Sequence, residues 1–308
     1  MSLLSIVVPC YNEEETVSLF YQAVTPVLAG MNIDHEIIFV NDGSRDRTLE
    51  ECLKLYNAHP EEIKVIDFSR NFGKEGALLA GLRQAKGDYV TVMDADLQDP
   101  PEVLVRMFEL MEKNDDDVVG SRRVTRKGEP PIRSWFARMF YKLINKYTEV
   151  EIVDGARDFR LMKRSVVDAI LSLKEYGRFS KGLFAWVGFK TEYIEYENVE
   201  RVAGETKWSF WKLLRYAMDG IVEYTEAPLR LPFWCGGFLT VLMTVELLVL
   251  LVMALCGKVI TTGVLIISLV LFFGGVLLLG IGVLGEYLSK TYNEVKGRPN
   301  YIVKKLYD

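Results

Sequence analysis

Two aspartates, Asp94 and Asp96, close a short apolar run from Tyr89 to Met93 and are followed by Gln98, Asp99, Pro100 and Pro101. The run reads as a buried parallel strand, so the acids stand at its carboxyl end, the edge where open α/β sheets bind ligands. On an extended strand end, residues i and i+2 share a face. The two carboxylates are therefore spaced to share a hard divalent cation that also holds phosphate oxygens. The plainer alternative is a strand running into a capped helix, with Asp99 ahead of Pro100, Pro101 and Glu102 as the helix start. A cap accounts for one acid and leaves the pair before it without a purpose.

The elements that must position these acids repeat along the first half of the chain. Leu3–Val8, Glu36–Val40 and Ile63–Phe68 are apolar runs that end in polar or acidic residues and alternate with helix-period segments. With Tyr89–Met93 they give the βαβ rhythm of a parallel sheet. The first run opens onto Pro9-Cys10-Tyr11-Asn12-Glu13, ahead of a helix carrying Val17, Phe20, Tyr21, Val24 and Leu28. The second ends in Asn41-Asp42-Gly43-Ser44, where Asp42 leaves the sheet at its ligand edge and Gly43 permits a tight turn; an ordinary turn with Ser44 as a helix cap is the alternative. Carboxylates on several loops of one edge favour a nucleotide pocket. Ser69 to Lys74 follows the third strand and opens a helix from Glu75 to Ala85, with amides placed to face an anion; a plain loop fits equally well. Further expectations are a fifth strand at Asp117–Gly120, a strand-like Asp158-Phe159-Arg160-Leu161, an aromatic helix at Phe179–Phe189 and an edge strand at Glu192–Val199.

With 308 residues and 50% hydrophobic content, the chain can build one substantial core and something more. A formal net charge of -5 argues against a nucleic-acid partner. Cys10, Cys52, Cys235 and Cys256 are scattered without metal-ligand spacing, which fits a reducing, cytosolic compartment and no disulfide framework. The N-terminus enters the first strand with no signal-peptide pattern ahead of it.

The something more lies towards the C-terminus. Leu231–Cys256 and Val264–Leu284 are almost wholly apolar, each long enough to cross a hydrocarbon core of ~30 Å at about 20 residues per helix. Gly257–Gly263 is too short a link to be a domain, so a two-helix transmembrane hairpin is expected. Lys207, Lys212, Arg215 and Arg230 precede it, Lys290, Lys296, Arg298, Lys304 and Lys305 follow it, and only Lys258 sits in the turn. That bias puts both ends in the cytosol. Glu246 inside the first span is costly in lipid and points to helix association, hence a homo-oligomer. In Arg133–Tyr147, Phe136, Met139, Phe140, Leu143, Ile144 and Tyr147 form an apolar stripe beside Arg138, Lys142 and Lys146. This is either a core-facing helix with a solvated basic face or an interfacial helix with its cations on lipid phosphates. Trp208 to Arg215 reads as a second interfacial helix. The expected organisation is 1–207 catalytic domain, 208–230 juxtamembrane helix, 231–284 two spans, and 285–308 cytosolic tail. Gly280-Ile281-Gly282-Val283-Leu284-Gly285 matches a dinucleotide fingerprint, but it lies within a span and follows no strand.

Six motifs in order resemble one family: Pro9-x-Tyr11-Asn12-Glu13, Asn41-Asp42-Gly43-Ser44, Asp94 through Pro101, Asp158-Phe159-Arg160-Leu161, Gly204-Glu205-Thr206-Lys207, and the tail Gly282 to Tyr287 with Arg298-Pro299-x-Tyr301. Together they are similar to family 2 glycosyltransferases of the polyprenyl-phosphate type, the group of dolichol-phosphate mannose synthases and bacterial bactoprenol glucosyltransferases. The resemblance implies a GT-A-type, Rossmann-like α/β fold with a mostly parallel sheet flanked by helices. It implies that Asp42 holds the nucleobase, with Pro9, Tyr11 and Glu13 near the nucleoside, and that Asp94 and Asp96 carry Mg2+ or Mn2+ on the diphosphate beside Gln98. Asp158 resembles a catalytic base, or else a group that orients the sugar or a neighbouring cation such as Arg160. Arg201 and Lys207 belong to a loop closing over donor and lipid phosphate, and Arg133 and Arg138 join them as expected lipid-phosphate ligands. Thr206 stands where relatives often carry Ser.

The implied reaction is inverting transfer of a sugar from a UDP-sugar to undecaprenyl or another polyprenyl phosphate, on the cytosolic leaflet of the inner membrane. Glucose is the first choice of sugar and N-acetylglucosamine the next. A flippase and a downstream multi-span glycosyltransferase are the implied functional partners. A processive polysaccharide synthase would need a Gln-x-x-Arg-Trp motif and more spans, and neither is present in the sequence. A non-catalytic nucleotide-sugar sensor would have no use for the Asp94/Asp96 pair.

Overall fold

Aliphatic residues on both faces of the first strands set the architecture. Ile6, Val7 and Val8, like Ile37, Ile38, Phe39 and Val40, are wholly buried, as parallel strands covered by helices on two sides must be. The structure is a computed structural model that describes residues 2–31, 33–123, 155–196 and 262–308, with isolated residues 145, 153, 238, 245, 252, 255 and 256. Strands β1 (Leu3–Cys10), β2 (Asp34–Asn41), β3 (Ile63–Phe68) and β4 (Tyr89–Val92) alternate with helices α1 (Val17–Met31), α2 (Thr48–Ala58) and α3 (Lys74–Gln84). Then come α4 (Val103–Asn114), β5 (Val118–Arg123), β6 (Ala156–Lys163), α5 (Arg164–Ser172), α6 (Ser180–Trp186), β7 (Thr191–Tyr196), α7 (Thr262–Lys296) and β8 (Val303–Tyr307). The α1 stripe of Val17, Phe20, Val24 and Leu28 is buried as its spacing predicts.

The strands form one eight-stranded sheet in the order β7-β5-β6-β4-β1-β2-β3-β8. β4, β1, β2 and β3 pair in parallel. From β1 the chain adds β2 and β3 on one side and then returns to lay β4 on the other, so the strand order reverses between β1 and β4. Crevices at such reversals are where doubly wound sheets bind ligands. β6 runs antiparallel to both β4 and β5, and β7 pairs in parallel with β5 at one edge of the sheet. The stretch expected at Asp158–Leu161 is thus the middle of a longer interior strand. At the opposite edge β8 pairs antiparallel with β3, Val303 opposite Phe68 and Leu306 opposite Ile66. β8 was not legible from hydropathy, because most of its residues are exposed.

The described residues fall into two compact units, one within 1–217 and 298–308 and the other within 218–297. The second unit contains α7, a continuous helix of 35 residues. By length and composition its stretch Phe273–Lys296 is able to cross a membrane. Val264–Leu284, the predicted span, lies wholly in α7, and the helix continues through Glu286, Lys290 and Glu294. At 1.5 Å per residue it is ~50 Å long, well beyond a hydrocarbon core of ~30 Å. The first predicted span, 231–256, falls outside the described residues apart from isolated positions, as do the segments 133–147 and 208–230.

α3 lies close against β1. A Cβ built on Gly81 would stand 2.2 Å from Val7 Cγ1, so only glycine lets helix and strand approach this far. Gly81→Ala is expected to destabilise the domain by about 1–3 kcal/mol through overpacking, read as a lower midpoint in chemical or thermal unfolding.

Candidate active site

Strand register brings the chemistry together. The β4–β6 pairing runs from Tyr89 opposite Lys163 to Val92 opposite Arg160. Two residues further along the same register, Asp94 faces Asp158. Like charges directly across a strand pair repel, and a third residue resolves the conflict. The Lys74 ammonium lies 2.7 Å from Asp94 Oδ1 and 2.7 Å from Asp158 Oδ2. Burial disfavours the charged lysine, yet Asp158 and Asp94 outweigh it and raise the Lys74 pKa well above the ordinary value. For Asp158 burial pulls upward, and Lys74, then Lys181 and Arg160, hold the carboxyl well below the usual carboxylate range. Arg160 itself is 3% exposed, stacks 3.6 Å over Phe184, and donates through Nη2 to the Arg157 carbonyl. Lys74 thus sits directly on the Asp158 carboxylate.

The turn after β4 is held from outside. Leu97 has φ +54°, a left-handed conformation that costs a branched residue about 1–3 kcal/mol unless its surroundings enforce it. The Gln98 amide donates to Asp96 Oδ1 at 3.2 Å. Arg157 donates from Nε to Asp99 Oδ1 at 3.2 Å and from Nη2 to Gln98 Oε1 at 3.3 Å. The Tyr196 hydroxyl also donates to Asp99. Asp99 is therefore no helix cap: α4 begins at Val103, whose amide donates to the Pro100 carbonyl, and the carboxylate of Asp99 is committed to β6 and β7. Among the described residues no group of three or more His, Cys, Asp or Glu side chains is arranged to hold a metal. The hard oxygens of Asp94 and Asp96 suit a divalent cation that completes its shell with substrate phosphate, the usual way Mg2+ is bound.

A second cluster surrounds Asp42, which is 3% exposed. Its Oδ1 accepts the Phe72 amide at 2.6 Å, and its Oδ2 accepts the Gly73 amide at 2.9 Å and Asn71 Nδ2 at 2.8 Å. The amides expected to face an anion thus face one supplied by the protein. Burial lifts the Asp42 pKa above the ordinary aspartate value against the pull of those amides. Of about four acceptor positions on a carboxylate, three are occupied and one remains. Gly43, at φ +61°, is required because a Cβ there would lie 2.3 Å from the Arg70 carbonyl carbon.

The β1 and β2 loops are laced together. The Asn12 amide donates to Ser44 Oγ, the Arg45 amide to Asn12 Oδ1, and the Glu13 amide to Thr48 Oγ1. Ser44 consequently serves the neighbouring loop instead of capping α2, whose first amide, that of Thr48, donates to Asp46 Oδ1 at 3.0 Å. Pro9 lies in β1 opposite Val40, and Tyr11 and Glu13 follow at the strand's carboxyl end, half-buried.

Of the sequence-derived site residues, then, Asp94 and Asp158 meet through Lys74, Asp96 and Gln98 share the adjacent turn, and Asp42, Pro9, Tyr11 and Glu13 sit on the neighbouring loops. Arg133, Arg138, Arg201 and Lys207 lie outside the described residues. Sequence reasoning missed Lys74, Arg157, Tyr196 and Glu75 as site residues. Lys74 carried one signal: a cation in the first turn of a helix opposes the helix dipole and calls for acidic partners. Glu75, beside it, accepts from the Ser180 amide and hydroxyl on α6.

Residues 5–171 match the family model described as Glycosyl transferase family 2. The chain belongs to that family. Over its length, this family 2 glycosyltransferase is 45% identical to CsbB of Bacillus subtilis, across 98% of this chain and 92% of that protein. It is 38% identical to a prophage bactoprenol glucosyl transferase homolog of Escherichia coli, across 98% and 99%, and 40% identical to the SfII prophage-derived bactoprenol glucosyl transferase of Shigella flexneri, across 98% and 97%. Among solved structures, the mannosyltransferase PcManGT of Pyrobaculum calidifontis, determined with GDP-Man and Mn2+, aligns at a TM-score of 0.50 and 16% identity over 94% of this chain and 84% of that one. Mannosyl-3-phosphoglycerate synthase from Rubrobacter xylanophilus aligns at 0.50 and 17% over 71% and 72%. The fold of the family 2 domain is GT-A-like.

Burial, with Asp158 adding to it, pushes the Glu75 carboxyl from its ordinary 4.5 up to about 7. The folded state therefore binds this proton more tightly than the unfolded chain, and the wild type loses stability as pH rises from about 4.5 to 7. Glu75→Gln is expected to lack that part of the loss. Its stability relative to wild type should rise across that interval and level off above it, in denaturant titrations at a series of pH values.

Proposed function

We propose that this glycosyltransferase moves glucose from UDP-glucose to a polyprenyl phosphate, inverting the anomeric centre, at the cytosolic face of the inner membrane. UDP-N-acetylglucosamine is the next donor to test. One observation carries the reading: relatives named bactoprenol glucosyl transferase match this chain end to end, through the apolar C-terminal third as well as the catalytic domain.

In this reading Asp42 offers its remaining acceptor position to the uracil N3–H, with Pro9, Tyr11 and Glu13 around the nucleoside. Asp94 and Asp96 hold Mg2+ or Mn2+, which when bound supplies positive charge to the leaving diphosphate. Lys74 adds a fixed charge at the same place. Its ammonium is held on both oxygens of Asp94 and on Asp158, beside the place where the diphosphate charge develops. Gln98, held by Arg157, faces the sugar. Arg133, Arg138, Arg201 and Lys207 bind the lipid phosphate, a task suited to cations with several donors.

Asp158 acts as a positioning group. A phosphate monoester has a second pKa near ~6, so the acceptor is mostly a dianion at neutral pH and needs no base. A carboxylate held as low as Asp158 also has little affinity for a proton. Its work is to keep the Lys74 ammonium beside the reacting centre.

The apolar stretches 231–256 and 264–284 form the membrane hairpin, with the charge bias of their flanks keeping the catalytic domain in the cytosol. Glu246 contributes to self-association. The lipid-linked sugar is then made on the inner leaflet, and its use beyond the membrane calls for a flippase and a multi-span transferase acting after it in cell-envelope glycan modification.

Isolated membranes given undecaprenyl phosphate and a panel of labelled nucleotide sugars should yield butanol-extractable label from UDP-glucose; label from another donor alone would replace glucose in this proposal. Asp96→Asn should lower that activity by orders of magnitude while the protein still inserts, and full turnover by this variant in EDTA would remove the metal from the scheme. For Asp158→Asn, the rate relative to wild type should stay constant from about pH 5.5 to 9. Convergence at the alkaline end would instead assign Asp158 the role of base.

A further inference from the structure

We propose that the segment Asn300–Ile302, which follows α7, is a positioning element of the donor site, acting through Tyr301 on the turn that engages Asp42 and delivers Lys74. The inference rests on the assignment of the Asp42 loop to the nucleotide and extends it to a part of the chain that the chemistry leaves unused.

The contacts form an unbroken series. The Tyr301 ring stacks on Phe68, the last residue of β3, with centroids 5.1 Å apart and planes 10° from parallel. Phe72 meets the same Phe68 edge-on at 5.8 Å, and Arg70 lies 4.0 Å over the Phe72 ring. The Ser69 amide donates to the Ile302 carbonyl at 3.1 Å. Tyr301 thus supports the base of a turn whose tip, Asn71 to Gly73, supplies all three side-chain and amide donors to the Asp42 carboxylate. The next residue is Lys74. The tail also reaches the first turn of α3 directly, for a Cβ on Gly76 would lie 3.3 Å from the Asn300 carbonyl oxygen. Two further bonds fix the segment: Asn300 Nδ2 donates to the Tyr176 carbonyl at 2.8 Å, and Arg83 Nη1 to the Tyr301 hydroxyl at 3.3 Å.

A simple edge cover does not explain this arrangement. Masking the exposed edge of β3 is accomplished by Val303–Tyr307, which pair with it. Asn300 to Ile302 precede that pairing: Tyr301 packs on the Phe68 ring at the end of β3, and Ile302 and Asn300 reach the turn and α3. The chain is also brought there abruptly: Gly297, at φ +58°, ends α7 in the left-handed conformation typical of a helix stop, and Pro299 prevents its continuation. Arg298-Pro299-x-Tyr301 therefore has a structural purpose, which is to stop the long helix and present one aromatic ring to the donor-side turn.

The test uses the full-length protein in detergent or nanodiscs, with UDP and Mg2+ as the probe. Tyr301→Leu keeps an apolar side chain and removes the stack. It should weaken UDP binding by about 3- to 10-fold, the scale of one aromatic pair, and raise the donor KM while leaving the acceptor KM unchanged. The Phe72 and Gly73 amides, bonded to Asp42, should exchange with deuterium faster. Tyr301→Phe, which retains the ring, should restore wild-type UDP affinity, and Leu306→Ala in β8 should leave it unaltered. Wild-type UDP affinity and exchange in Tyr301→Leu, with only a lower unfolding temperature, would reduce the segment to edge cover and overturn the proposal. Asp42→Asn separates the two failures. If it weakens UDP binding and Tyr301→Leu does not, the positioning role alone is wrong; if neither does, the nucleotide assignment falls and the inference with it.

Discussion

Two ionised carboxylates on neighbouring strands repel at close range unless a proton or a cation lies between them, and here the Lys74 ammonium between Asp94 and Asp158 supplies the cation. Much of the surrounding structure serves to make the three coincide. β6 must enter the sheet antiparallel beside β4 to bring Asp158 opposite Asp94. α3 must begin at Lys74, despite the helix dipole, and Gly73 at φ +94° gives the backbone the turn that starts it there. Removing Lys74 would leave two facing carboxylates uncompensated in a partly buried site, whereas loss of either aspartate leaves a Lys–Asp pair.

The parallel half of the sheet was legible because each of its strands is a continuous apolar run that stops at a polar loop. The acids at those stops marked the edge of the candidate site, since a parallel sheet presents the carboxyl ends of its strands together. Asp42, Asp94, Asp96 and Asp158 were found this way or by resemblance. β6 was only partly legible, as Arg157, Asp158, Arg160 and Lys163 interrupt its apolar pattern. β8 has no apolar pattern at all, and its place depends on an edge formed some 240 residues earlier. Pairing at that separation leaves no local mark.

Where local readings failed, a distant partner had replaced a near one. Asp99 and Ser44 stand where caps are expected, and each bonds instead to another loop or strand, Asp99 to Arg157 and Tyr196 and Ser44 to Asn12. In the loop Ser69–Lys74, open to an anion-facing or a plain-loop reading, the Phe72 and Gly73 amides meet Asp42. These substitutions share a direction. They tie the loops that leave β1, β2 and β3 to one another and the turn after β4 to β6 and β7, and with Lys74 on Asp94 the edge behaves as one laced surface instead of four independent turns. A strained residue such as Leu97 is tolerable only in such a setting.

The discontinuity of the first compact unit, 1–217 joined by 298–308, has a consequence for biosynthesis. β1 to β7 leave the ribosome before the apolar stretch that precedes β8, so the catalytic sheet must wait with β3 unpaired at one edge while roughly 80 intervening residues are made. An open strand edge is a template for wrong pairing. Completion of this domain is therefore ordered in time behind synthesis of the apolar stretch, and a chain stalled before β8 carries the loops of the candidate site without the strand that seals their sheet.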